Sequence, residues 1–106
     1  MIEDITVHDL AAWREAGKKF VLLDVRDPDE VATVRLDGSV WIPMREIPQR
    51  LGELDRGMSI AVMCHHGGRS ERVGEFLASQ GFTDVVNVAG GIDAYAAHIE
   101  PTLARY

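Results

Sequence analysis

The sequence has little that would anchor or cross-link it. Its single cysteine, Cys64, rules out a disulfide within the chain. No stretch approaches the roughly 20 apolar residues of a transmembrane helix. The formal net charge of −6 argues against non-specific binding to nucleic acid or to an anionic membrane surface, because both require a basic face. The acidic first four residues lack the apolar region of a secretory signal, and we expect a cytoplasmic protein.

Length and composition indicate one folded unit. A chain of 106 residues suits one compact domain, and a hydrophobic fraction of 46% is ordinary for a globular protein. No internal repeat, low-complexity tract or linker interrupts the sequence. We therefore predict a single domain over residues 1–106.

Short apolar runs alternate with helical patterns along the chain. Continuous apolar runs suit strands that are buried on both faces of a parallel sheet. The pattern predicts an α/β fold with a mainly parallel sheet of four to five strands and helices on both faces. The predicted strands are 20–23, 39–42, 60–63 and 85–88; the predicted helices follow the caps Thr6 and Asp27, span 45–54, begin near Ser70 and end at Ala97.

The third predicted strand leads directly into Cys64, at the sheet edge where α/β proteins bind ligands. Gly67 and Gly68 permit a tight curl, in which consecutive amide N–H groups point inward and form an anion-binding nest. The following helix, near Ser70, directs the positive end of its dipole at the same place, and Arg69 adds a fixed positive charge. These features stabilise a thiolate over a thiol and would also hold a persulfide anion.

Two other chemistries compete for this loop. His65 and His66 suggest a metal site, but adjacent loop side chains tend to diverge and no second Cys/His cluster exists, so we expect no metal. We expect these histidines to contribute amides and to shape the pocket mouth. Cysteine phosphatases place five residues between Cys and Arg, whereas four separate Cys64 from Arg69. The shorter loop favours a sulfur atom over phosphate, although phosphatase or arsenate chemistry stays open.

Several ordered motifs resemble those of the single-domain rhodanese family, which includes the thiosulfate sulfurtransferases. The resemblance covers about residues 5–97 and implies a rhodanese-like fold. The matching segments are 64–70 for the active-site loop, 22–26 with Glu30 for the N-terminal signature, 38–43 for the segment that follows, and 81–82 with 88–95 for the C-terminal signature.

The resemblance implies that Cys64 is the catalytic nucleophile. It would take the outer sulfur of a donor such as thiosulfate, carry it as a persulfide and pass it to a thiophilic acceptor. The loop that holds the persulfide would comprise His65, His66, Gly67, Gly68, Arg69 and Ser70, and no cofactor is implied. An alternative is a persulfide relay whose donor or acceptor is another protein; a cysteine phosphatase or arsenate reductase-like enzyme is a further one.

The resemblance also points to accessory residues. Asp24 and Arg26 match a charged pair near the loop, for which we favour a structural ion pair that includes Glu30. The family often has Gly-His-Ile where this chain has Val34, Arg35 and Leu36. Arg35 is a candidate for attracting an anionic donor, but we favour a solvated surface arginine.

Overall fold

A computed structural model describes residues 2–106; residue 1, which belongs to the predicted domain and to its acidic N-terminal segment, lies outside the described residues. Strands and helices alternate, as the sequence predicts. The elements are β1 Glu3–Ile5, α1 Val7–Glu15, β2 Val21–Asp24, α2 Pro28–Thr33, β3 Val40–Trp41, 3₁₀ helices Met44–Glu46 and Pro48–Glu53, β4 Ile60–Met63, α3 Gly68–Ser79, β5 Val85–Val88 and α4 Gly91–His98.

The strands form one five-stranded sheet in the order β1-β5-β4-β2-β3, and every pair is parallel. All four residues of the central strand β4 are buried, which explains why its sequence is apolar without alternation. Because its strands are parallel, the sheet brings their carboxyl ends to one edge. Cys64 follows β4 at the middle of that edge.

Helices cover both faces of the sheet, which confirms the predicted fold class. On one face, α3 and the 3₁₀ helices pack over a core that includes Leu23, Val62 and Leu77. On the other face, α1 and α4 pack over a core that includes Leu22 and Met63. Neighbouring residues of one strand thus enter different cores, as the pleat of a strand requires.

Local capping signals fix where the first two α-helices begin. Thr6 caps α1 in a capping box with Asp9. Asp27 occupies the same position before α2, where the Asp27 N–H donates to Glu30 Oε1 at 3.0 Å and Pro28 begins the helix. Each box satisfies backbone N–H groups that a helix leaves unpaired at its start, so sequence patterning predicts both positions.

Three features differ from the sequence prediction. The helix expected over residues 45–54 consists instead of two 3₁₀ segments: Pro48 lacks an N–H, and Arg50 has non-helical angles of φ −117° and ψ 16°. The fifth strand is β1 at the sheet edge, a segment to which we assigned no strand. Helix α3 begins at Gly68 rather than near Ser70.

None of the helices in the described part of the chain combines the length and the apolar character needed to cross a membrane.

Candidate active site

Cys64 lies at the floor of the loop, and its side chain is buried. The Gly67 N–H donates to its Sγ at 3.1 Å, and Ser70 Oγ lies 3.4 Å from the same sulfur. Gly67 makes this contact in a left-handed conformation with φ +115°, which side chains rarely adopt. The chain thus curls around the sulfur and enters α3 within one turn.

The two loop glycines have different roles, which corrects part of the sequence interpretation. Gly67 supplies the curl, whereas Gly68 has an ordinary φ and is already the first residue of α3. A Cβ at Gly68 would meet no heavy atom within 4 Å. The curl of the loop around the Cys64 sulfur therefore requires a glycine at position 67, while position 68 has room for a side chain.

Helix α4 holds the loop from the opposite side. The Ile92 N–H donates to the Cys64 carbonyl at 2.9 Å, and the Asp93 N–H donates to the His65 carbonyl at 3.1 Å. A Cβ on Gly91 would lie 2.4 Å from both carbonyl oxygens. Both carbonyls thus face α4, which leaves the loop amides free to face the sulfur. Sequence reasoning missed this role, although the Gly90-Gly91 pair was its signal.

The local electrostatics favour an ionised sulfur. Burial raises the pKa of Cys64, but hydrogen bonds from the Ser70 hydroxyl and from the backbone amides of Ser70, Gly67 and His66 outweigh it. The pKa of Cys64 therefore lies below its ordinary value. Thiolates are the nucleophilic form of cysteine, so this environment activates the residue.

Arg69, for which the sequence suggested a fixed positive charge beside the loop, is paired with a carboxylate. Its guanidinium binds Glu30 through two hydrogen bonds, Nη1 to Oε1 at 2.6 Å and Nη2 to Oε2 at 2.9 Å. The paired arginine, despite partial burial, lowers the pKa of Glu30 to about 2. Arg69 therefore joins the first turn of α3 to α2 beside the loop, and Glu30 becomes a residue of the site.

Asp24 and Arg26 form a fully buried ion pair at the end of β2, with Nη2 to Oδ2 at 2.7 Å. Arg26 also donates to the carbonyls of Glu30 and Val34, at 3.2 and 2.7 Å. The pair thus joins the end of β2 to two carbonyls of the α2 segment, whereas the Glu30 carboxylate takes no part in it and binds Arg69. Arg35 is exposed and donates to the Ser39 carbonyl at 3.0 Å.

His65 and His66 do not diverge as we expected: their ring centroids lie 3.9 Å apart, and both rings face Asp93. Ligand atoms of these three residues lie within 4.8 Å of one another, so within residues 2–106 they form a group that could hold a metal ion. Arg105 already binds Asp93 Oδ1 at 3.0 Å and would compete with a cation. Burial, followed by the charge of His66, lowers the pKa of His65.

Tyr106 covers one face of the His65 ring. Its ring stacks on His65 with centroids 3.9 Å apart and planes 12° from parallel. Its hydroxyl donates to Glu30 Oε2 at 2.8 Å and accepts from Arg26 Nη1 at 3.1 Å. Burial contributes most to raising the pKa of Tyr106 to about 12. The segment around residue 106 therefore borders the loop, a contact that sequence reasoning did not find.

A parallel sheet that ends in a cysteine surrounded by amide donors defines an α/β protein with a nucleophilic-cysteine loop. Comparison with known proteins makes the assignment specific. The family model described as "Rhodanese-like domain" matches residues 6–98. The chain belongs to the rhodanese-like sulfurtransferase family.

Relatives of similar length support this assignment. A "Sulfurtransferase" of Allochromatium vinosum is 31% identical over 98% of this chain and 97% of its own length. A "Thiosulfate sulfurtransferase GlpE" of Pseudomonas syringae pv. syringae is 36% identical over 79% of this chain and 77% of its own. A crystal structure of a rhodanese-like domain protein from Staphylococcus aureus superposes with a TM-score of 0.86 at 30% identity and covers 99% of both chains.

Other relatives are much longer. The chain spans 30% of the length of the Arabidopsis thaliana "Rhodanese-like/PpiC domain-containing protein 12, chloroplastic". It spans 26% of the Mycobacterium tuberculosis "Probable adenylyltransferase/sulfurtransferase MoeZ". The same fold therefore also occurs as one part of larger proteins.

Proposed function

We propose that this chain is a sulfurtransferase domain in which Cys64 carries sulfur as a persulfide. The observation that carries the proposal is the Cys64 sulfur, which sits among the amides of its own loop and is activated as a thiolate. The same donors that favour a thiolate also suit the anionic outer sulfur of a persulfide. The names of the similar single-domain relatives support this chemistry.

The reaction proceeds in two displacements. The Cys64 thiolate attacks the outer sulfur of thiosulfate, a new S–S bond forms, and the S–S bond of thiosulfate breaks to release sulfite with the electron pair. An acceptor such as cyanide then attacks the outer sulfur of the persulfide, and the Cys64 thiolate leaves. Atoms and electrons balance without a cofactor, which is the covalent logic of an activated nucleophile.

We propose thiosulfate as the sulfur donor. Thiosulfate is supported by the relative named thiosulfate sulfurtransferase, and a protein persulfide is the alternative donor or acceptor. A single cysteine suits a reducing compartment, so we place the reaction in the cytoplasm.

Intact-protein mass spectrometry after incubation with thiosulfate tests the proposal, with Cys64→Ser as the control. We expect the wild type to gain one sulfur atom, to lose it on addition of cyanide, and the variant to gain none. A gain in Cys64→Ser would contradict the assigned nucleophile. No gain from thiosulfate but a gain from a persulfidated protein would replace the donor, and Cys64-dependent turnover of an aryl phosphate would favour phosphatase chemistry instead.

A further inference from the structure

A chain of buried polar side chains leads away from the Cys64 sulfur. Ser70 Oγ lies 3.4 Å from Sγ and 2.5 Å from the Asn87 carbonyl oxygen, Oδ1. Asn87 Nδ2 in turn donates to Asp4 Oδ1 at 3.1 Å. Ser70 and Asn87 are 0% and 2% exposed, whereas Asp4 lies at the surface on the neighbouring edge strand. The chain thus links the sulfur to the surface through three side chains.

The orientation of the Asn87 amide decides where the Ser70 proton lies. A carboxylate can only accept hydrogen bonds, so Asp4 binds the NH₂ group of Asn87 and turns the carbonyl oxygen toward Ser70. That oxygen also only accepts, and the 2.5 Å contact therefore requires the Ser70 proton.

A serine hydroxyl has one proton and cannot donate to two acceptors at once. While its proton points to Asn87, Ser70 offers the sulfur only a lone pair, which suits an S–H donor and disfavours a thiolate. To stabilise the thiolate, the hydroxyl must rotate toward the sulfur and give up Asn87. Asn87 and the Cys64 sulfur are therefore rival acceptors for the same proton.

We propose that Asn87 is a positioning residue that competes with the Cys64 sulfur for the single proton of Ser70, and that Asp4 holds the Asn87 amide in the competing orientation. When Cys64 is a thiol, the Ser70 hydroxyl donates to Asn87, and when Cys64 is ionised, the hydroxyl turns and donates to the sulfur. After sulfur transfer the negative charge lies on the outer sulfur, and the hydroxyl donates to Asn87 again. This deepens the proposed function, on which its catalytic meaning rests.

Two substitutions at the exposed Asp4 test the idea without disturbing the core. Asp4→Ala and Asp4→Asn both remove the negative charge, but only asparagine keeps an oxygen that can accept from Asn87. In Asp4→Ala the amide is free to turn its NH₂ group toward Ser70, which releases the Ser70 proton for the sulfur. Any difference between the two variants therefore reports the orientation of the amide and not the lost charge.

The measurement is the pH dependence of alkylation by iodoacetamide, which reads Cys64 alone because the chain has no other cysteine. Relative to Asp4→Asn, we expect Asp4→Ala to shift the midpoint of the alkylation profile to lower pH and to react about threefold faster at pH values below that midpoint. One hydrogen bond to a thiolate favours ionisation about tenfold. The lower basicity of the sulfur makes it a weaker nucleophile and offsets part of the gain in rate. In a Ser70→Ala background the difference should vanish.

Coinciding profiles for the two Asp4 variants would overturn the proposal, and so would a difference that persists without the Ser70 hydroxyl. Asn87→Ala removes the competitor altogether and should also shift the midpoint to lower pH; a folded variant with a raised midpoint would show that Asn87 helps the thiolate. The assay contains no sulfur donor. A result that contradicts the competition for the Ser70 proton therefore says nothing against sulfur transfer. In the same way, a failure to form the persulfide from thiosulfate says nothing against the competition.

Discussion

Replacing Gly91 with alanine should displace the cysteine loop from α4. The added methyl carbon would lie 2.4 Å from the carbonyl oxygens of Cys64 and His65, a separation that real Cβ atoms essentially never show. The neighbouring atoms are backbone, so they cannot move aside as a flexible side chain would. Either α4 or the loop must shift, and the hydrogen bonds from Ile92 and Asp93 to these carbonyls must weaken.

The expected magnitude follows from two separate costs. Gly91 has φ +60°, and alanine in that left-handed region costs about 1–2 kcal/mol. Overpacking in a close-packed site adds about 1–3 kcal/mol. Gly38 provides a matched control, because its φ is +80° but a Cβ there would meet nothing within 4 Å. Gly38→Ala should therefore lose only the first contribution, and Gly91→Ala should lose both.

Urea unfolding of both variants measures the free energies, and the rate of Cys64 alkylation reports the state of the loop. We expect Gly91→Ala to be less stable than Gly38→Ala by about 1–3 kcal/mol, or about 4 °C or more in Tm. Only Gly91→Ala should change the alkylation rate. Equal stability of the two variants, with equal alkylation rates, would refute the role assigned to the contact between Gly91 and the loop.

Three further predictions concern charge and helix formation. Glu30, whose pKa Arg69 lowers to about 2, should contribute about 1–2 kcal/mol of stability, which is full above pH 4.5 and is lost as the pH falls toward 2. Arg69→Ala should weaken this pH dependence in urea titrations over that range, and an unchanged dependence would contradict the pair. Asp24→Ala leaves Arg26 buried without its partner and should cost about 3–5 kcal/mol in the same assay, whereas a loss below about 1 kcal/mol would refute the structural role. Gly68→Ala should raise the free energy of unfolding by about 0.4–1 kcal/mol, because the site has space and an ordinary φ; a loss would mean that the loop needs glycine there.

The sequence predicts those parts of the fold that depend on local signals. Apolar runs identify the buried strands, and β4 and β5 have the predicted bounds of 60–63 and 85–88. The caps Thr6 and Asp27 mark helix starts because their side chains act within one turn. Strand β1 has no such signal: Glu3 and Asp4 are exposed, and the strand forms only by pairing with β5 at the other end of the chain. The 44–53 segment keeps a helical pattern, but Pro48 weakens it to 3₁₀ turns.

The candidate site divides in the same way. The centre of the site is contiguous in sequence: it consists of Cys64, the curl at Gly67 and the start of α3. The residue types of this one segment therefore suffice to predict it. The partners of that loop come from distant segments: Glu30 binds Arg69, and Asn87 binds Ser70. Spacing within one segment carries no information on such pairs, because only the packing of α2 and β5 against the loop brings them together.

The hydrogen bonds from α4 to the loop carbonyls also place the site in the order of synthesis. Residues 91–93 leave the ribosome well after Cys64, and domains tend to fold as their segments emerge. A nascent chain that ends before α4 lacks the two hydrogen bonds that hold the carbonyls of Cys64 and His65. We therefore expect the cysteine loop to reach its final geometry only when the last helix docks.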